Sequence, residues 1–263
     1  MNPDAFLRLL LDEAAAPFRA AGQFAYHYAR GKLGSDCIFR ELLRRGIFLP
    51  PEGTKASAAG HHLDLGCGQG SLFAWLLAAR RCHERGQWPD DWPAPPRFSS
   101  LRGIELMHKD VARAKRAFRQ LTDPAHPLIC IEQGDMQQAD FGQADVITIL
   151  DALHYFDPAG QEMVLRRIHA ALPAGGLFLT RIGDAGAGLP YHLCNLVDRL
   201  VTFVRGHRLS RLYCRPLPEW MALLERIGFT VNAIPMNAGK PFANVMLVCR
   251  VPGAVSPGRS PAV

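Results

Sequence analysis

The stretch that most limits how this chain can fold is His62-Leu63-Asp64-Leu65-Gly66-Cys67-Gly68-Gln69-Gly70. A short apolar run closes on an acid, and three glycines follow at alternate positions. Ser71 to Leu77 then has the apolar density of a packed helix. The order is strand, tight turn, helix. Glycine admits φ values that a Cβ forbids and lets a ligand approach the backbone. The helix N-terminus brings unpaired N–H groups and positive dipole to the same spot. A nucleotide-like ligand is therefore expected above residues 66–70.

The rest of the chain alternates in a way that suits this unit. Strands are expected at 100–106, 128–132, 144–150 and 177–182, and helices at 70–82, 107–121 and 157–172. Such βα alternation predicts an α/β fold with a doubly wound, mostly parallel sheet. Phe229–Pro235 and Asn244–Arg250, with Gly239-Lys240-Pro241 between them, read as two closing strands after a helix at 218–227, which makes seven. Residues 1–55 read as an N-terminal helical cap. Pro17 separates its first two helices, Gly31 and Gly34 break the second, and Ser35 or Asp36 caps a third that stops at Gly46. The main domain spans 56–251, with a surface insertion at 83–96 and a helical insert at 183–215 after the fifth strand. Residues 252–263 read as a disordered tail.

Bulk properties exclude several classes. No apolar run approaches the roughly 20 residues that span a bilayer, and Met1-Asn2-Pro3-Asp4 lacks the basic start of a secretory leader. Seven scattered cysteines without a CxxC pair suit reduced thiols in a cytoplasmic protein, and no metal site is expected. Of the net charge of +6, Lys109, Arg113, Lys115, Arg116 and Arg119 read as the solvated face of a helix. Arg199, Arg205, His207, Arg208, Arg211 and Arg215 are either another such face or a dock for an acidic carrier protein or a membrane surface.

The spacing Gly-x-Gly-x-Gly differs from the dinucleotide fingerprint Gly-x-Gly-x-x-Gly. A carboxylate at Asp64, so near a phosphate site, would be out of place, whereas a ligand with a cationic amine could use it. Together with Glu105 in Gly103-Ile104-Glu105-Leu106, the stretch resembles the glycine-rich motif of class I S-adenosylmethionine-dependent methyltransferases. Further matches follow in order: Gly134-Asp135-Met136, the segment from Asp151 to Phe156, the turn Leu172 to Leu177, and Pro218-Glu219-Trp220 through Gly228-Phe229. The resemblance covers about residues 60–250 and implies the Rossmann-like methyltransferase fold with S-adenosylmethionine as cofactor. It implies that Glu105 binds the ribose hydroxyls, that Asp135 meets the adenine amino group and that Met136 packs on the ring. Asp64, Gly66, Cys67, Gly68, Gly70, Leu106 and Asp151 complete the implied cofactor site.

His154 is the candidate catalytic residue, since a hydroxyl acceptor must lose its proton and an imidazole suits that near neutral pH. The alternative is that Leu153-His154-Tyr155 only lines the cofactor pocket. The acceptor is expected to meet Tyr26, His27, Tyr28 and Arg30, or an apolar lid at 189–204. Gly22 to Leu33 also resembles the start of methyltransferases from bacterial aryl-polyene pigment gene sets, which implies an aromatic or polyketide-like acceptor, free or on an acyl carrier protein. A pI of 9.1 raises nucleic-acid methylation as an alternative. Against it, Asp151-Ala152-Leu153-His154 lacks the Asn/Asp-Pro-Pro-Tyr/Phe signature, and no RNA-binding module is appended. A non-catalytic cofactor-binding or carrier-docking protein is the remaining alternative.

Overall fold

The structure is a computed structural model that describes residues 2–49, 60–119, 128–188, 212–236 and 243–253. Seven strands form one sheet: β1 (Gly60–Leu65), β2 (Phe98–Glu105), β3 (Leu128–Gln133), β4 (Val146–Leu150), β5 (Leu177–Gly183), β6 (Thr230–Pro235) and β7 (Asn244–Arg250). Their order is β3-β2-β1-β4-β5-β7-β6. The first five run parallel, β7 is antiparallel to β5, and β6 is antiparallel to β7. The order reverses between β1 and β4, and ligands bind in such sheets at the carboxyl ends of the strands beside that reversal.

Each strand sends alternate residues to opposite faces. On one face Leu63, Leu65, Ile147 and Ile149 pack with Val164, Leu165 and Ile168 of α6 (Pro158–Ala171) and Trp220, Leu223 and Leu224 of α7 (Leu217–Ile227). On the other, Leu101, Val146 and Leu179 share a core with α4 (Ser71–Glu84), α5 (His108–Phe118) and the N-terminal helices. Those are α1 (Pro3–Ala15), α2 (Gln23–Ser35) and α3 (Cys37–Arg44), with a 3₁₀ turn at Ala16–Ala21. From Ser71 to Ala79 α4 is buried all round because it lies between the sheet and the N-terminal helices, and from Leu72 to Ala79 its sequence is correspondingly apolar on every side.

Two expectations are corrected. Gly31 and Gly34 do not end α2, which runs on to Ser35. Its buried face is Ala25, Ala29 and Leu33, spaced four apart, so packing outweighs the helix cost of two glycines. At Gly34 a Cβ would stand 3.2 Å from Leu11 Cδ2, so the glycine admits α1 at close range. Nor is 83–96 merely a surface insertion. Trp88 and Trp92 meet Phe6 of α1 edge-on, at 5.3 and 5.5 Å between ring centroids.

Asp36 accepts from Ile38 N at 3.2 Å, capping α3, and Gly46 follows the helix at φ +58°. Lys109, Lys115, Arg116 and Arg119 are exposed, while Arg113 is half-buried, paired with Asp110 and set over Phe24. The linker at 50–53, the turn at 239–241, the expected helix at 189–204 and the tail beyond 253 lie outside the described residues.

Candidate cofactor and active site

The turn after β1 takes the shape that its glycines permit. Gly66, Gly68 and Gly70 have φ of +75°, +57° and +81°. A Cβ at Gly66 would stand 3.1 Å from Ala152 Cβ and 3.4 Å from Met136 Cε. The turn is anchored on the neighbouring strand by Gly66 N, which donates to Ile104 O at 2.8 Å.

Glu105, at the end of β2, closes one side of this cradle. Its Oε2 accepts from Gly68 N at 2.8 Å and its Oε1 from Met107 N at 2.8 Å. Each carboxylate oxygen has a second lone pair, so the group remains able to accept from a diol. Leu106, next along, is 60% exposed, an apolar surface beside that carboxylate. Asp135 accepts from Gln137 N at 2.9 Å through Oδ1, which shapes the turn after β3. Met136 is held by its carbonyl, which accepts from Arg167 Nη1 at 2.9 Å. Cys67 points inward: a Cβ on Gly103 would lie 2.6 Å from its Sγ. Burial raises its thiol pKa well above the usual range, so the side chain is a neutral packing group.

Asp64 is buried at the end of β1, at 4% exposure. Burial pushes its carboxyl up to about 7, although Thr148 Oγ1 donates to Oδ1 at 2.6 Å. An acid of this kind, one oxygen held and the other without a hydrogen-bond partner among the described residues, suits a ligand cation that restores its charge. Glycine cradle, diol-competent carboxylate and cation-seeking acid together fit S-adenosylmethionine, which carries a ribose and an amino-acid ammonium.

Asp151 ends β4 and is the sole non-glycine residue of positive φ, +61°, among the described residues. Its carboxylate is clamped by Arg181 of β5, with Arg181 Nε to Oδ1 at 2.6 Å, and Lys32 of α2 stands 3.8 Å away. Burial opposes its charge, but the Arg181 guanidinium holds its pKa below the usual carboxylate range. Arg181 also reaches Asp36 Oδ2 at 2.8 Å, so one buried cation joins the N-terminal cap to the sheet. Arg181 is the residue that sequence reasoning missed. Its only signal was a charge inside an apolar strand.

His154 follows in a 3₁₀ turn, Leu153–Tyr155. Its Nε2 is buried with no partner among the described residues, and burial lowers its pKa, with Asp151 opposing and Arg181 assisting. Tyr213 N donates to His154 O at 2.8 Å. Gln161 Nε2 donates to the carbonyls of Leu153, Phe156 and Tyr213, so α6 holds both the His154 turn and the returning end of the insert. Arg215 donates to Gln161 Oε1 at 2.8 Å and stacks over Trp220. It is thus engaged with the fold, unlike a free docking charge. Arg199, Arg205, His207, Arg208 and Arg211 lie outside the described residues.

The aromatics of α2 flank its buried alanine face. Tyr26 accepts from Arg19 Nη2 at 3.1 Å, Arg30 pairs with Asp12, Tyr28 stacks on exposed Phe24, and His27 is exposed. Gln69 Nε2 donates to Ala25 O at 3.1 Å, tying α2 to the glycine turn. A separate cavity of about 520 Å³ opens between α1, α2 and α3, lined by Leu7, Leu11, Leu33 and Arg40 with Trp75 behind. No residue of the glycine turn, nor Glu105, Asp135 or His154, lines it.

Residues 63–178 match the model of a methyltransferase domain. Over 119 residues the chain is 29% identical to a carboxy-S-adenosyl-L-methionine synthase of Chromohalobacter salexigens, covering 45% of this chain and 38% of that protein. Over 99 residues it is 31% identical to a demethylspheroidene O-methyltransferase of Rhodobacter capsulatus, covering 38% and 24%. The chain thus spans less than half the length of these curated relatives. Among solved structures, magnesium protoporphyrin IX methyltransferase from Synechocystis PCC 6803 with bound SAH superposes with a TM-score of 0.55 at 17% identity, over 88% of this chain and 91% of that one. Glycine turn, flanking acids and strand order agree with that match: residues 63–178 resemble a methyltransferase domain that uses S-adenosylmethionine.

Proposed function

We propose that this protein transfers a methyl group from S-adenosylmethionine to an oxygen nucleophile on a small aromatic or polyketide-like molecule. The observation that carries the reading is the nearness in the fold of two features. The acid-flanked glycine cradle ends β1, and the turn bearing His154, whose Nε2 has no partner among the described residues, follows β4, the next strand in the sheet. When bound, the cofactor supplies an electrophilic methyl on a sulfonium. Asp64, the glycine turn, Glu105, Leu106, Asp135 and Met136 bind and orient it. In-line attack gains much of its rate from such positioning. His154, kept neutral by burial, takes the proton of the acceptor hydroxyl. Asp151 has its carboxylate tied to Arg181, so its part is to fix the wall beside His154.

The finer reading is an aryl-polyene-type acceptor, with an acidic acyl carrier protein as the partner that delivers it to the arginine-rich stretch 199–211. It rests on the resemblance of Gly22 to Leu33 and on charge alone. The test is incubation with labelled cofactor and a panel of phenols, free and carrier-bound. Labelling of a phenol supports the proposal, labelling of RNA alone replaces it with nucleic-acid methylation, and binding without turnover replaces it with a docking role. A second reading follows from the synthase match: here mass spectrometry would find a carboxylated cofactor in place of a methylated acceptor.

A further inference from the structure

Beside the cradle, the sheet interior holds a polar chain that no packing requirement explains. His62 and Asp64 lie two apart on β1 and so share one face, and Thr148 of β4 is the register partner of Asp64. His62 Nε2 is 3.0 Å from Thr148 Oγ1, and Thr148 Oγ1 donates to Asp64 Oδ1 at 2.6 Å. All three are buried, at 1%, 0% and 4% exposure. The imidazole is enclosed by Phe48, Phe73 and Phe98, at 5.8, 5.5 and 4.9 Å between centroids. Its Nδ1 has no partner among the described residues.

These contacts set a direction. Thr148 has one hydroxyl hydrogen, and it goes to Asp64. The contact with His62 then needs the imidazole's proton on Nε2, which leaves Nδ1 bare. The reverse chain would bury an N–H without an acceptor, the rarer arrangement in proteins. We propose that His62 and Thr148 are positioning residues: a one-way hydrogen-bond relay, His62 to Thr148 to Asp64, that holds one oxygen of the carboxylate and readies the other for the ammonium of the cofactor. The proposal rests on the cofactor reading above.

The relay matters because the site otherwise opposes the charge. Burial, with Glu105 at the end of β2 adding to it, raises the Asp64 carboxyl to about 7 against the opposing pull of the Thr148 hydroxyl and of Lys32 of α2. The Cys67 thiol on the following turn stays neutral. Burial also drives His62 down to about 3, so it serves as a neutral donor. Cofactor binding should therefore displace a proton from Asp64 in acid, and affinity should fall about tenfold per pH unit below that point.

The experiment is calorimetric titration with S-adenosylmethionine from pH 5.5 to 8.5, for the wild type and Thr148→Val, with Thr148→Ser as the hydroxyl-bearing control. The relay predicts a loss of about tenfold or more in affinity for Thr148→Val. It also predicts a pH midpoint moved upward, and recovery of both in Thr148→Ser. An unmoved midpoint in Thr148→Val overturns the relay. If that variant does not fold, His62→Leu tests the other end and should move the midpoint the same way. A wild type that binds no S-adenosylmethionine at any pH overturns the cofactor reading itself, and is distinguishable from failure of the relay alone.

Discussion

Gly68 and Gly70 share left-handed φ but differ in their surroundings. A Cβ on Gly68 would meet nothing within 4 Å, whereas one on Gly70 would lie 2.5 Å from the Phe118 ring. Gly68→Ala should cost about 1 kcal/mol of stability, the left-handed penalty alone. Gly70→Ala adds an overpacking cost and should lose about 3 kcal/mol. Urea denaturation of the two variants checks the difference. At Glu105 the carboxylate both braces the turn and, in the proposed site, takes the ribose. Glu105→Ala should therefore abolish measurable cofactor binding in calorimetry, since Gly68 N and Met107 N lose their acceptor as well. His154→Ala should lower turnover with little change in cofactor affinity. Unchanged turnover would leave His154 as pocket lining.

At the scale of elements, the union of the N-terminal cap with the sheet turns on Arg181. One guanidinium meets Asp151 at the end of β4 and Asp36 at the junction of α2 and α3. Removing the buried guanidinium leaves both carboxylates with Lys32 alone, so Arg181→Met should destabilise the fold by about 3 kcal/mol. Asp36→Asn keeps a capping oxygen for Ile38 N and should cost less. Chemical denaturation gives both values. Nothing local in the sequence pointed to this contact, because its two partners lie 145 and 30 residues from Arg181 along the chain. The strands, by contrast, were legible, since apolar runs bounded by glycine and proline mark them from within. The reach of α2 was not. Propensity ended it at Gly31, and only the packing of Ala25, Ala29 and Leu33 carries it on.

For the whole molecule, pH reports on the buried polar chain. His62 is held near 3, below its unfolded value of about 6.5. The unfolded chain therefore binds more protons between these limits, and the His62 contribution to stability is lost as pH falls from 6.5. Asp64 is held near 7, above about 3.9 unfolded. There the folded chain binds more protons, so its contribution is lost as pH rises through 7. The two slopes oppose each other between about pH 4 and 6.5. His62→Leu should therefore lose stability relative to the wild type as pH rises through that range. Thermal melts across pH 4.5 to 7 check the sign of the slope. No helix among the described residues is long and apolar enough to cross a membrane.

The sequence by itself determined the alternation of strands and helices, the glycine turn and the acids at the ends of β1 and β2. Each of these is encoded within a few residues, where periodicity and φ demands act. It likewise marked Asp135, Asp151 and His154, though not what each side chain does. Only the tertiary structure decided that Cys67 turns inward, that Asp151 is spent on Arg181 and that Trp88 and Trp92 lie against Phe6. It alone set His62 behind Asp64 through Thr148. Those outcomes depend on contacts between distant segments and on burial, which changes the protonation of a group without changing its identity. The turn at residues 66–70 could be read from its letters; the charge state of the acid beneath it could not.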